Sequence, residues 1–217
     1  MGCIFDLDGV IVDTAKYHFQ AWKKLANDLG FDFTEEQNEK LKGVSRAESL
    51  NLILQWGGVE VSDERKEELM KSKNDNYLSL IEKMQPEEVL DGVSEFLEHL
   101  SQKNVPIALG SASKNAEIIL EKVGLIKYFS VLIDGNKVTK SKPDPEVFLK
   151  GAEGLGLQPK DCIVFEDAEK GLQAALDGGF YTVGVGDPDV LFEAHYCISN
   201  FKNLDIETLF KKVKSAK

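Results

Sequence analysis

Short apolar runs alternate with amphipathic stretches along most of the chain. Val105–Leu109, Ser130–Ile133, Cys162–Phe165 and Thr182–Val185 read as buried strands, with Tyr196–Ile198 a weaker last one. Between them, Val93–Lys103, Ala116–Val123, Pro145–Gly154 and Ala168–Asp177 place apolar residues at helical spacing. Gly124 and Gly178–Gly179 are natural helix stops. Strands that alternate with helices need crossover connections, so the pattern predicts an α/β fold: a doubly wound, mostly parallel sheet with a Rossmann-like core.

The stretch from Thr14 to Met84 has no strand run. Ala15, Phe19, Trp22, Leu25, Ala26 and Leu29 recur near every 3.6 residues and stop at Gly30. Ala47–Trp56 and Asp63–Met84 read as helical too, the second as one long helix or a broken pair. The expected division is therefore a core of residues 1–13 and 87–217 and an inserted helical cap of residues 14–86. An insert at that point would lie over the carboxyl end of the first strand, where doubly wound folds bind ligands. Gly184–Val185–Gly186 lacks dinucleotide-motif spacing and reads as a turn, and Lys211–Lys217 as a solvated helix end.

Composition narrows the classes. With 37 acidic against 26 basic side chains the net charge is −11, which argues against a nucleic-acid partner. No apolar run approaches the ~20 residues of a membrane span. The N-terminus lacks a basic signal-peptide region, so a cytoplasmic, membrane-free monomer is expected. Cys3, Cys162 and Cys197 are isolated and odd in number, which suits free thiols in a reducing compartment. An anionic small substrate would need local positive groups to overcome the global charge.

Those groups occur at the predicted strand ends. The run Gly2–Val10 delivers Asp6 and Asp8 into a glycine turn, and side chains two apart on a strand share a face. Crowded carboxylates call for a cation or a reacting anion. Ser111–Ala112–Ser113–Lys114–Asn115 precedes a helix; it reads as a helix cap, or as a phosphate cradle of hydroxyls and backbone N–H groups. Lys142 lies before Pro143 and Pro145, which fix its turn. Glu166 and Asp167 end a further strand and complete a set of hard oxygen donors that suits Mg²⁺. Within this inventory Asp6 is the candidate nucleophile, Asp8 the acid and base, and the Asp8 carbonyl a further metal ligand.

The order Asp-x-Asp, Ser, Lys, Glu-Asp resembles the four motifs of the haloacid-dehalogenase-like phosphotransferases along the full length. Within that superfamily the chain is similar to the β-phosphoglucomutases, through Asp13–Phe19, Leu41–Arg46, Lys73–Tyr77 and Ser111–Asn115. The resemblance implies isomerisation of β-glucose 1-phosphate to glucose 6-phosphate through a bisphosphate, with a sugar-phosphate phosphatase as the alternative. It implies Asp6 as the phosphorylated residue, Asp8 as acid/base, and Mg²⁺ held by Asp6, Asp8 and Asp167 with Glu166 beside it. Ser111, Ala112 and Lys142 would hold the transferring phosphoryl group. Arg46, Ser113, Lys114 and Asn115 would hold the second phosphate. Thr14, His18, Trp22, Lys73 and the loop Gly43, Val44, Ser45 would form the specificity surface. Trp22 also fits simple core packing, and His18 a hinge hydrogen bond. The residue after Asp167 is often serine in such enzymes and is Ala168 here, so Asp167 is expected to cap the next helix.

Overall fold

The computed structural model describes residues 1–216 and divides into two compact units: Met1–Asp13 with Gln85–Lys217, and Thr14–Met84. The second boundary falls two residues before the expected one. Met84 is buried and belongs to the helical unit, whereas the Glu88 carbonyl already accepts from Asp13 N–H and Val89 bridges Val12. The sheet unit thus resumes ahead of residue 87.

The helical unit contains α1 (Ala15–Asp28), α2 (Glu35–Glu39), α3 (Arg46–Gly57) and α4 (Asp63–Ile81). Its core is Trp22, Leu25, Ala26, Phe33, Leu41, Leu50, Ile53, Leu54 and Leu69. α4 is one continuous helix, started by Ser62, whose hydroxyl accepts from Arg65 N–H. α2 has no apolar face to announce it. It is nucleated instead by a capping box in which Thr34 and Gln37 satisfy each other's backbone N–H.

The sheet unit has six strands: β1 (Gly2–Phe5), β2 (Ile107–Gly110), β3 (Val131–Ile133), β4 (Cys162–Glu166), β5 (Tyr181–Val185) and β6 (Tyr196–Ile198). Their order is β3-β2-β1-β4-β5-β6, and every pairing is parallel. β2 starts later than its apolar run because Pro106 has no N–H to donate; its carbonyl still accepts from Cys3 N–H. Gly184 lies within β5 rather than in a turn, paired with Glu166 of β4 and Cys197 of β6, and a Cβ there would sit 3.0 Å from both Cys197 Sγ and Leu191 Cβ.

The surrounding helices are α5 (Val93–Gln102), α6 (Ala116–Lys122), α7 (Glu146–Gly154), α8 (Glu169–Asp177) and α9 (Ile206–Ser215). Residues 211–216 are the exposed end of α9, as expected, apart from buried Val213, and Lys217 lies outside the described residues. Ile206, Leu209, Phe210 and Val213 form a buried stripe, and Asp205 caps it through Thr208 N–H.

Alternation along β1 sends Ile4 and Phe5 to opposite faces of the sheet. Ile4 joins Ala108, Phe148, Val164, Ala174 and Phe180. Phe5 stacks on Phe165, with centroids 4.5 Å apart, and meets Phe96, Phe129 and Phe201 edge-on or tilted. Burying each such ring stabilises the fold by about 1.5–3 kcal/mol. This aromatic layer lies directly beneath the ends of β1 and β4, where the candidate chemistry sits.

Candidate active site

Strand order reverses between β1 and β4, the switch point at which doubly wound sheets place ligands. Phe5 pairs with Phe165, and Asp6 N–H donates to the Phe165 carbonyl at 3.0 Å. Asp6 therefore leaves the sheet beside Glu166 and Asp167. Carboxylate oxygens of these three lie within 4.8 Å of one another.

The geometry of Asp8 differs from the sequence expectation. β1 ends at Phe5, so strand alternation does not align Asp8 with Asp6. Asp8 sits instead in a tight turn: the Leu7 carbonyl accepts from Ile11 N–H at 2.9 Å and Val12 N–H at 3.2 Å. Gly9 N–H closes the turn on the Val12 carbonyl at 2.9 Å, and half-buried Asp8 bridges Val12.

Lys142 is buried with its Nζ 2.7 Å from Asp6 Oδ1 and 2.5 Å from Glu166 Oε1, over the Phe148 ring. Burial alone would lower its pKa, but the two carboxylates outweigh burial and hold the ammonium raised. Burial pushes Glu166 up, and the Asp6 charge adds to it against the pull of Lys142. Three charges thus share a nearly dry space, arranged so that one cation serves two anions.

The second oxygen of Glu166 accepts from Ala168 N–H at 2.9 Å. Ala168 occupies the cap position of α8 without a side-chain bond of its own.

Two glycines make close approaches that the sequence does not announce, Gly171 in α8 and Gly9 in the turn after β1. A Cβ on Gly171 would lie 1.7 Å from Glu166 Oε1, and one on Gly9 would lie 2.0 Å from Asp167 Oδ2. Gly9 also has φ +77. The available signal was Gly171 itself, since a glycine inside a helix costs about 1 kcal/mol relative to alanine and needs a reason.

The loop after β2 adjoins this group, since Phe5 also pairs with Leu109. Ser111 is fully buried; its N–H donates to the Ile133 carbonyl and its Oγ accepts from Ser113 N–H at 3.1 Å. Ser113 Oγ accepts from Asn115 N–H at 3.3 Å. Both hydroxyls therefore shape the loop itself, and Ala112 and exposed Lys114 are carried by that shape.

The residues expected in the helical unit form a second cluster. Lys73 Nζ is 3.1 Å from His18 Nδ1, 4.6 Å from the Trp22 ring centre and 4.5 Å from that of Tyr77. An ammonium only donates, so Nδ1 accepts and the imidazole is neutral, with its proton on Nε2. Burial, then Lys73, then Arg46 push the His18 pKa well below its ordinary value. Trp22 is 2% exposed and serves the core as well as the lysine. Tyr77, four residues after Lys73 on one helix face, belongs to the cluster although it was read only as part of a string. Thr14 is the buried N-cap residue of α1. Gly43, Val44 and Ser45 form the loop into α3, with Gly43 at φ 69 and Ser45 Oγ accepting from Glu48 N–H. Arg46 opens α3, half-buried; burial lowers its pKa against the influence of Tyr77.

The model of the haloacid dehalogenase-like hydrolases matches residues 1–179. The chain belongs to the haloacid dehalogenase-like hydrolases. This haloacid dehalogenase-like chain is 42% identical over 211 residues to the β-phosphoglucomutase of Bacillus subtilis, covering 96% of this chain and 93% of that protein. It is 31% identical over 198 residues to a phosphorylated carbohydrates phosphatase of Thermotoga maritima, covering 88% and 89% respectively. The crystal structure of β-phosphoglucomutase from Clostridium difficile superimposes with TM-score 0.94 at 39% identity, over 99% of this chain and 97% of that one. Membership generally implies a divalent metal. The Asp6–Glu166–Asp167 group, built from hard oxygens, fits one. Among the described residues no helix is long and apolar enough to cross a membrane.

Proposed function

We propose that the protein isomerises β-D-glucose 1-phosphate to D-glucose 6-phosphate through glucose 1,6-bisphosphate. Asp6 attacks phosphorus, forming an aspartyl phosphate as the bond to the sugar oxygen breaks. Asp8 gives its proton to the departing oxygen. The donor in that step is a bisphosphate; the 6-hydroxyl of β-glucose 1-phosphate then attacks the aspartyl phosphate as Asp6 leaves and Asp8 takes the hydroxyl proton, which gives glucose 1,6-bisphosphate. Asp6 recaptures the 1-phosphoryl group of that bisphosphate, Asp8 protonates the departing oxygen, and glucose 6-phosphate is released. Lys142, 2.7 Å from Asp6 Oδ1, stabilises charge on the transferring group. The metal assigned to Asp6, Asp8, Asp167 and neighbouring Glu166 is Mg²⁺, and when bound it supplies further neutralisation of the phosphoryl oxygens.

Ser111 and Ala112 share the transferring phosphoryl group with Lys142. Ser113, Lys114, Asn115 and Arg46 are assigned the non-reacting phosphate, and Arg46 suits it because a guanidinium grips phosphate through two parallel bonds. Thr14, His18, Trp22, Lys73 and Gly43–Ser45 are assigned to sugar recognition. The protein would act as a cytoplasmic monomer on small sugar phosphates, which the free Cys3, Cys162 and Cys197 suit.

The observation that carries the reading is the buried Asp6–Lys142–Glu166 arrangement in a chain so similar to the Bacillus β-phosphoglucomutase. A phosphatase, in which water accepts the phosphoryl group, is the second reading, favoured by the likeness to the Thermotoga phosphatase. A coupled assay for glucose 6-phosphate, run on α- and β-glucose 1-phosphate with Mg²⁺ and a trace of bisphosphate, separates them. The mutase reading predicts β-selective isomerisation. Release of inorganic phosphate faster than isomerisation would overturn it.

A further inference from the structure

The turn that follows β3 is built against the loop that follows β2. Gly135 N–H donates to the Ser113 carbonyl at 3.1 Å, and Asn136 Nδ2 donates to the Lys114 carbonyl at 3.0 Å. Asn136 is itself held by Asp134: its N–H reaches Oδ1 at 3.0 Å and its Nδ2 reaches Oδ2 at 2.9 Å. Asp134 is only 7% exposed, and both of its carboxylate oxygens are used in this way. A Cβ on Gly135 would meet the Ala112 carbonyl oxygen at 2.4 Å and Lys114 Cγ at 3.0 Å. Three consecutive residues of one turn therefore fix the carbonyls and a side-chain stem of the neighbouring loop.

A buried carboxylate is a poor choice beside an anion site unless its charge is consumed locally. Here two N–H donors consume it, and the Asn136 amide passes the constraint on as a donor to the loop. The arrangement says nothing of Asp6, which leaves from β1. It governs the direction of Ser113, Lys114 and Asn115, the groups assigned above to the non-reacting phosphate.

We infer that Asp134, Gly135 and Asn136 form a positioning unit that sets the Ser113–Asn115 loop for the second phosphate of the substrate. The inference rests on the mutase reading. It predicts a separation between two phosphoryl donors. Glucose 1,6-bisphosphate carries a phosphate that does not react, and acetyl phosphate carries none, so only the first depends on this turn.

The test measures KM and kcat for phosphorylation of the full chain by each donor, in wild type, Asn136→Ala and Asn136→Asp. Asn136→Ala should raise KM for the bisphosphate roughly tenfold, the scale of one lost hydrogen bond, and leave acetyl phosphate unchanged. Asn136→Asp keeps the size but loses the donor and faces Asp134, so its KM should rise at least as far. A merely packed side chain would be rescued by that isostere. A wild type that saturates with bisphosphate, with variants that match it or that lose both donors equally, overturns the positioning role alone. A wild type with no saturable response to bisphosphate overturns the mutase reading and this inference together.

Discussion

At the scale of single residues, the site depends as much on absent atoms as on present ones. Glu166 accepts from Lys142 with one oxygen and from Ala168 N–H with the other, and α8 leaves room for it by having no side chain at Gly171. Alanine at that position gains about 1 kcal/mol of helix propensity. It also drives a methyl group into a carboxylate 1.7 Å away, and overpacking of that kind costs about 1–3 kcal/mol. The second effect should prevail because both Glu166 oxygens are engaged, by Lys142 and by Ala168 N–H, on a residue only 1% exposed, so moving it breaks a buried bond. Gly171→Ala is expected to lower the melting temperature and to raise the Mg²⁺ concentration for half-maximal activity several-fold. An unchanged metal requirement would mean that Glu166 has no bearing on the cation. The contrast with what the sequence revealed is instructive. Asp6, Lys142, Glu166 and Asp167 were legible because each brings its own chemistry to a strand end. Gly9 and Gly171 were not, since their role is defined by neighbours that only the fold supplies.

At the scale of elements, the pairing of α1 with α4 builds a pH-sensitive contact. His18 on α1 accepts from Lys73 on α4 and is held neutral, with a pKa pushed below 6.5 by burial first and by the two cations after it. The folded chain therefore binds fewer protons than the unfolded chain just below pH 6.5. The stability linked to His18 is complete above that pH and declines as pH falls through the folded value. Urea titrations between pH 7.5 and 5 should show wild-type stability dropping below pH 6.5 and a His18→Gln variant staying flatter. Parallel profiles would contradict the neutral-imidazole assignment. The helices of this unit were readable where an apolar stripe recurred, as in α1. They were unreadable where capping alone nucleates them, as in α2, whose five residues include no hydrophobic one. The strands carry the same lesson at their ends. Apolar runs located β1 and β2, but Pro106 delayed β2, and β1 stopped before the acids it delivers.

At the scale of the whole molecule, the α/β class followed from the alternation of runs, while the order of strands did not. Parallel pairing is a long-range choice, and no local pattern says that β4 rather than β3 lies beside β1. That choice decides the chemistry, because it brings residue 6 next to residues 166 and 167. The same choice leaves one buried ammonium, Lys142, among Asp6, Glu166 and Asp167, so a chain of net charge −11 needs a divalent cation on those carboxylates as well as Lys142 to accept an anion there.

The account stands on covalent capture of phosphorus by one carboxylate. Incubation of the protein with radiolabelled glucose 1,6-bisphosphate and Mg²⁺, acid quenching within milliseconds and peptide mapping would observe it directly. Label is predicted on the peptide that carries Asp6 and nowhere in an Asp6→Asn variant, which should lose turnover by orders of magnitude. A wild type that turns over without labelling Asp6, or an Asp6→Asn variant that remains active, would contradict the mechanism.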